Sequence, residues 1–91
     1  AYAAKGVPVV VLAAPSKCEF GACFADLKGP NDAARKLLAK SLAGLPLALV
    51  DPTASLTLDD FWARDGHWRP SGNRKVAAAL LPALRKALGL P

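Results

Sequence analysis

Val7-Pro8-Val9-Val10-Val11-Leu12 is an unbroken, mostly β-branched apolar run. A strand with one face in water alternates apolar and polar residues. A run without alternation belongs to a strand covered on both faces, the usual condition of a parallel sheet. Pro8 has no N–H to give to a ladder, so it fits only at the strand's start. Leu47-Ala48-Leu49-Val50 reads as a second short strand of the same kind. Between them Asn31 or Asp32 is expected to cap a helix of about twelve residues. Ala34, Leu37, Leu38, Leu42 and Leu45 fall on one face of that helix, and Gly44 ends it. Strand, right-handed helical crossover and strand make one βαβ unit.

The rest of the chain is arranged around that unit. Ala1 to Lys5 followed by Gly6 reads as the last turn of a helix and its C′ glycine. Residues 15–30, punctuated by Pro15, Gly21, Gly29 and Pro30, read as a long irregular link of the kind that lines a site. Asp51-Pro52-Thr53 leaves the second strand at its carboxyl end, where open parallel sheets place their ligands. Residues 53–64 read as a loop with a helical turn around Leu58 to Trp62. Pro70 opens a final helix striped by Val76, Leu80, Leu84 and Leu88, kinked at Pro82 and ended by Gly89. Two short strands and two helices cannot cover both faces of a sheet. The fold class expected is therefore α/β, with residues 1–91 as the C-terminal portion of a single larger domain. A missing segment or a companion chain would complete the sheet. The first residues lack the order of a signal peptide and there is no initiator methionine, so the chain reads as processed or trimmed.

Ninety-one residues make at most one small domain. No apolar run is long enough to span a bilayer. The formal charge of +5 admits nucleic acid or an anionic surface as a partner. Yet the basic residues are spread along the chain, and the densest group is only Arg69, Arg74 and Lys75. The few aromatics are not interleaved with them, which disfavours a nucleic-acid stacking platform. Cys18 and Cys23 lack the second Cys or His pair of a zinc site, and nothing calls for a metal or a cofactor. Either they form a local disulfide, which suits an exported (periplasmic or extracellular) protein, or they are two separate buried thiols.

Chemistry concentrates in Arg64-Asp65-Gly66-His67-Trp68-Arg69-Pro70-Ser71-Gly72-Asn73-Arg74-Lys75, which holds the chain's one histidine. In an extended segment Asp65 and His67 point the same way. A carboxylate on one imidazole nitrogen fixes the tautomer and leaves the other nitrogen as a general base. The N-terminus of the following helix adds unpaired N–H groups nearby. A nucleophilic site also needs an activated hydroxyl and oxyanion donors. The plain alternative is a surface turn that contains a histidine.

Asp65-Gly66-His67-Trp68-Arg69-Pro70-Ser71-Gly72-Asn73-Arg74-Lys75-Val76-Ala77 resembles the C-terminal Asp/His block of SGNH (GDSL-type) hydrolases. Val9 to Lys17 resembles the strand and Pro-Ser-Lys segment of some members, and Val50-Asp51-Pro52 their late strand ending in aspartate. The resemblance covers most of the chain in the family's order. It implies a three-layer α/β/α (flavodoxin-like) domain and ester chemistry, with His67 as general base and Asp65 as its orienting carboxylate. Trp68 would pack beside them. Ser71 fits a helix-start hydroxyl better than a nucleophile, and Ser16 is the remaining, poorer candidate for that role. The family's Gly-Asp-Ser, glycine and asparagine blocks have no match here. Many members place two residues between the acid and the histidine, whereas this chain has one. One residue followed by Trp also resembles the alginate O-acetylating branch, in which the serine follows the Asp-x-His block.

Two functions are thus expected to compete. One is a part of a serine esterase or O-acyltransferase acting on a carbohydrate- or lipid-linked ester, incomplete without a serine from elsewhere. The other is a non-catalytic α/β binding or assembly module with a degenerate hydrolase fold. Nucleic-acid binding through Arg69, Arg74 and Lys75 is a third and poorer reading, since basic residues at a helix start are usually only solvated.

Overall fold

A computed structural model describes residues 6–20 and 28–91. Strand β1 (Val10–Leu12) and strand β2 (Ala48–Val50) pair in parallel, with Val10 opposite Ala48, Val11 opposite Leu49 and Leu12 opposite Val50. Backbone bonds lengthen this short ladder at both ends: Ala48 N–H donates to the Val9 carbonyl at 3.0 Å and Ala13 N–H to the Val50 carbonyl at 2.8 Å. β1 is shorter than the apolar run, because Val7 and Pro8 stay outside the pairing and Val9 contributes only its carbonyl. Helix α1 (Lys28–Leu42) makes the crossover, so the βαβ unit forms as expected.

Helix α1 starts earlier than its capping residues predicted. Pro30 is accommodated in its first turn, where backbone N–H groups have no intrahelical partner to lose. Asn31 and Asp32 are consequently inside the helix rather than capping it. Asn31 Nδ2 donates to Ser16 Oγ at 3.3 Å, and Asp32 pairs with Arg35 and Lys36. Gly44 follows the helix with φ +82°, and Gly6, after the expected helical turn at residues 1–5, has φ +75°. That turn itself lies outside the described residues, as do residues 21–27 of the expected link.

Helix α2 (Pro70–Ala87) begins at Pro70 and runs through Pro82 without interruption. It lies against both strands and against the short helical turn Leu58–Asp60. Its stripe is covered only at the N-terminal end. Val76 is buried, whereas Leu84 and Leu88 are 41% and 67% exposed. The strands are half-exposed rather than buried on both faces, since a two-stranded sheet with α2 across it has too little cover. Leu37, Leu38 and Leu45 of the α1 stripe are exposed as well. Among the described residues the core is therefore small: Ala13, Pro15, Pro52, Leu56, Phe61 and Val76. The radius of gyration, 14.8 Å, exceeds the value of about 12 Å for a compact chain of this length. The chain is a small mixed α/β structure of two parallel strands and two described helices. None of these helices is long and apolar enough to cross a membrane.

Candidate functional site

The segment between β2 and α2 carries the Asp65–His67 pair. Two tight helical turns, Thr53–Ser55 and Leu58–Asp60, lead into a narrow loop closed by an antiparallel bridge between Phe61 and Trp68. Trp62 N–H donates to the His67 carbonyl at 3.1 Å, the next rung of that bridge. Because side chains alternate along extended backbone, the bridge divides the loop's residues between two faces. Phe61 is turned to the core at 3% exposure and Trp68 is half-buried, while Trp62, His67 and Arg69 are exposed. Phe61 also packs on Phe20, with ring centroids 5.3 Å apart.

At the loop's tip, Asp65 folds back on its own backbone. Its Oδ1 accepts the His67 N–H at 2.7 Å, and His67 Nδ1 lies 3.3 Å from the same oxygen. An aspartate bonded to the N–H two residues on is an Asx-turn, a local device that needs no support from the core. It brings the two residues together through a turn rather than through the alternation of an extended segment, and in water: the side chains of His67 and Asp65 are 88% and 55% exposed. Among the described residues the imidazole has no ion-pair partner besides Asp65.

Asp60 fixes the base of the loop. Its carboxylate is buried and accepts from Lys75 Nζ at 2.7 Å and Thr57 N–H at 2.9 Å. The Lys75 ammonium, the Thr57 N–H and the Ser71 hydroxyl outweigh burial and hold its pKa at about 2. Ser71, in the first turn of α2, is thereby a partner of Asp60. The Asp60 carbonyl accepts Arg69 N–H at 2.7 Å, and Gly72 presses against the same carbonyl. Asp60 was not legible as important, because its burial depends on how α2 docks.

Ser16 follows β1 and sits in a different network. Its Oγ accepts Cys18 N–H at 3.0 Å and Asn31 Nδ2–H at 3.3 Å, so His67 is not among its partners. Arg35 gathers three carboxylates beside it: Glu19 at 2.8 Å, Asp32 at 2.6 Å and Asp51. A cleft of about 270 Å³ borders this cluster, with Ser16, Glu19, Asn31 and Arg35 on its walls. Arg35 already faces three carboxylates, and Glu19 Oε2 is occupied by Ser16 N–H at 2.8 Å. The cluster ties the segments that follow β1 and β2 to α1.

Cys18 is engaged in a disulfide. Cys23, the chain's other cysteine, lies outside the described residues. Lys17 reaches the loop instead: its Nζ donates to the carbonyls of Trp62 at 2.7 Å and Ala63 at 3.1 Å. The Arg69 guanidinium stands 5.0 Å from the centroid of the Trp62 ring. Arg69 is thus stacked on Trp62 rather than only solvated beside Arg74 and Lys75, and no motif in the sequence marks Trp62 for that contact. No family model, curated protein or solved structure matches this chain.

Proposed function

We propose that Asp65 and His67 are the acid–base half of an SGNH-type serine esterase or O-acyltransferase, within a three-layer α/β/α domain of which residues 1–91 are the C-terminal portion. The observation that carries this reading is the shared Asp65 Oδ1, bonded to the His67 N–H and facing His67 Nδ1. A carboxylate so placed favours the tautomer with its proton on Nδ1 and leaves Nε2 to take a proton from a serine. Loose contacts of this kind often tighten only when substrate is bound. The serine is carried outside these residues, and the substrate is a carbohydrate- or lipid-linked ester. His67 accepts the serine proton as the acyl group is attacked, then delivers it to the leaving alcohol.

The exposure of the pair favours a second reading, a non-catalytic binding or assembly module that keeps an idle Asp-x-His turn. Labelling of the native sample with a serine-reactive fluorophosphonate, followed by intact mass of every polypeptide present, separates the two. A labelled longer form of this chain, or a labelled companion, supports the esterase. No label on any well-folded species leaves the binding module.

A further inference from the structure

We propose that the cleft beside the Trp62–His67 rung is a binding site for a monoanion built of an apolar body and one carboxylate. The cleft measures about 310 Å³ and is lined by Lys17, Leu58, Asp59, Phe61, Ala63 and Arg69. That is near the lower end of small-ligand sites, roughly 300–1,000 Å³, so it suits a body of about one ring. Leu58, Phe61 and Ala63 give it an apolar lining, and Lys17, Asp59 and Arg69 give it a charged one.

Both cations have donors to spare. Lys17 Nζ carries three donors and gives two of them to the Trp62 and Ala63 carbonyls. Arg69 has five donors in a planar fork, and among the described residues its side chain stacks on Trp62 without an ion pair. Among the described residues neither cation is paired with a carboxylate. Trp62 and Ala63 hold these groups in place, because the Trp62 indole orients the guanidinium and the Trp62 and Ala63 carbonyls orient the ammonium. The charges on the lining are Lys17 and Arg69 against Asp59, which leaves one net positive charge. One carboxylate balances it, whereas a dianion would meet Asp59. A forked guanidinium and a nearby ammonium suit the two oxygens of a carboxylate.

The test uses benzoate as the probe and benzyl alcohol as its neutral counterpart, each titrated against the native protein. The readout is the indole N–H resonance of Trp62, assigned with Trp62→Phe. Benzoate is expected to shift it saturably, with benzyl alcohol weaker by roughly tenfold or more, the value of a charge-assisted pair. Arg69→Gln and Lys17→Gln are each expected to weaken benzoate by a similar factor. Should Lys17→Gln lose its fold, Arg69→Gln decides alone. Equal affinity for the two probes, no shift, or benzoate affinity unchanged in Arg69→Gln overturns the proposal. The inference concerns binding and needs no serine. Fluorophosphonate labelling without benzoate binding removes this site alone, and the converse result removes only the esterase.

Discussion

The ammonium of Lys75 meets the carboxylate of Asp60 at 2.7 Å, joining the third residue of a short helical turn to the first half of α2. The two ends differ in solvation, with side-chain exposures of 3% for Asp60 and 41% for Lys75. With the Arg69 N–H bonded to the Asp60 carbonyl, this pair closes the loop that carries Asp65 and His67. The exposed dyad thus hangs from a buried carboxylate, and perturbing Asp60 tests the whole arrangement.

Asp60 should make acid stability measurable. Its pKa falls from 3.8 to about 2 on folding, chiefly through the Lys75 bond and then the Thr57 N–H. A depressed carboxylate contributes stability that is complete above its unfolded pKa and lost as pH falls through its folded pKa. The loss is therefore expected between about pH 4 and pH 2. Asp60→Asn should flatten stability across that window and cost on the order of 2 kcal/mol near neutrality. Urea unfolding midpoints measured against pH check both parts. An Asn variant with the wild-type acid slope would show that other groups govern it.

Gly72 is a packing requirement rather than a flexible joint. A Cβ there would stand 2.7 Å from the Asp60 carbonyl oxygen and 3.0 Å from Trp68 Cβ. Alanine favours helix over glycine by up to about 1 kcal/mol. Displacing backbone costs roughly 1–3 kcal/mol, so the net effect should be destabilising. Gly72→Ala is expected to lower the melting temperature and shift the amide resonances of Trp68 and Arg69. A raised melting temperature would refute the close approach.

Arg35 should matter more than its place on α1 suggests. Burial pushes the Asp51 carboxyl up, but the Thr53 hydroxyl and N–H and the Arg35 guanidinium outweigh it and hold it below its usual range. Glu19 is more enclosed, with its side chain 4% exposed. Arg35→Met strands that carboxylate, at an expected cost of about 3 kcal/mol. Arg35→Lys recovers little, since one ammonium cannot face three acids as a planar fork does. Adding Glu19→Gln to Arg35→Met should restore part of the loss. Chemical denaturation of the four proteins decides this, and a cost under about 0.5 kcal/mol for Arg35→Met, ordinary for a surface change, would refute it.

What could be read in the sequence was what is local. Pro70 opening α2 and the meeting of Asp65 with His67 each follow from neighbouring residues, and the parallel pairing of the two apolar runs follows from the helical stretch that joins them. The α1 start lies ahead of Asn31 and Asp32, whose side chains favour capping, because Pro30 is tolerated in a first turn. Apolar runs without alternation predict covered strands, but coverage depends on how many layers surround them. Asp60, Arg35 and Lys17 acquire their roles through partners 15 to 46 residues away, and no periodicity encodes such pairings.

The Asp65–His67 pair offers the sharpest separation of stability from chemistry. Both side chains are largely in water, so His67→Ala should change stability by no more than about 0.5 kcal/mol. Asp65→Asn should keep the turn, because the amide oxygen can still accept the His67 N–H. In the complete polypeptide, losing a general base is expected to slow fluorophosphonate labelling by roughly 10²–10⁴-fold. Asp65→Asn should slow it less, since the carboxylate orients the imidazole without taking its proton. Labelling at the wild-type rate in His67→Ala would remove the catalytic role. Equal losses in both variants would mean that the imidazole works only when the carboxylate holds it.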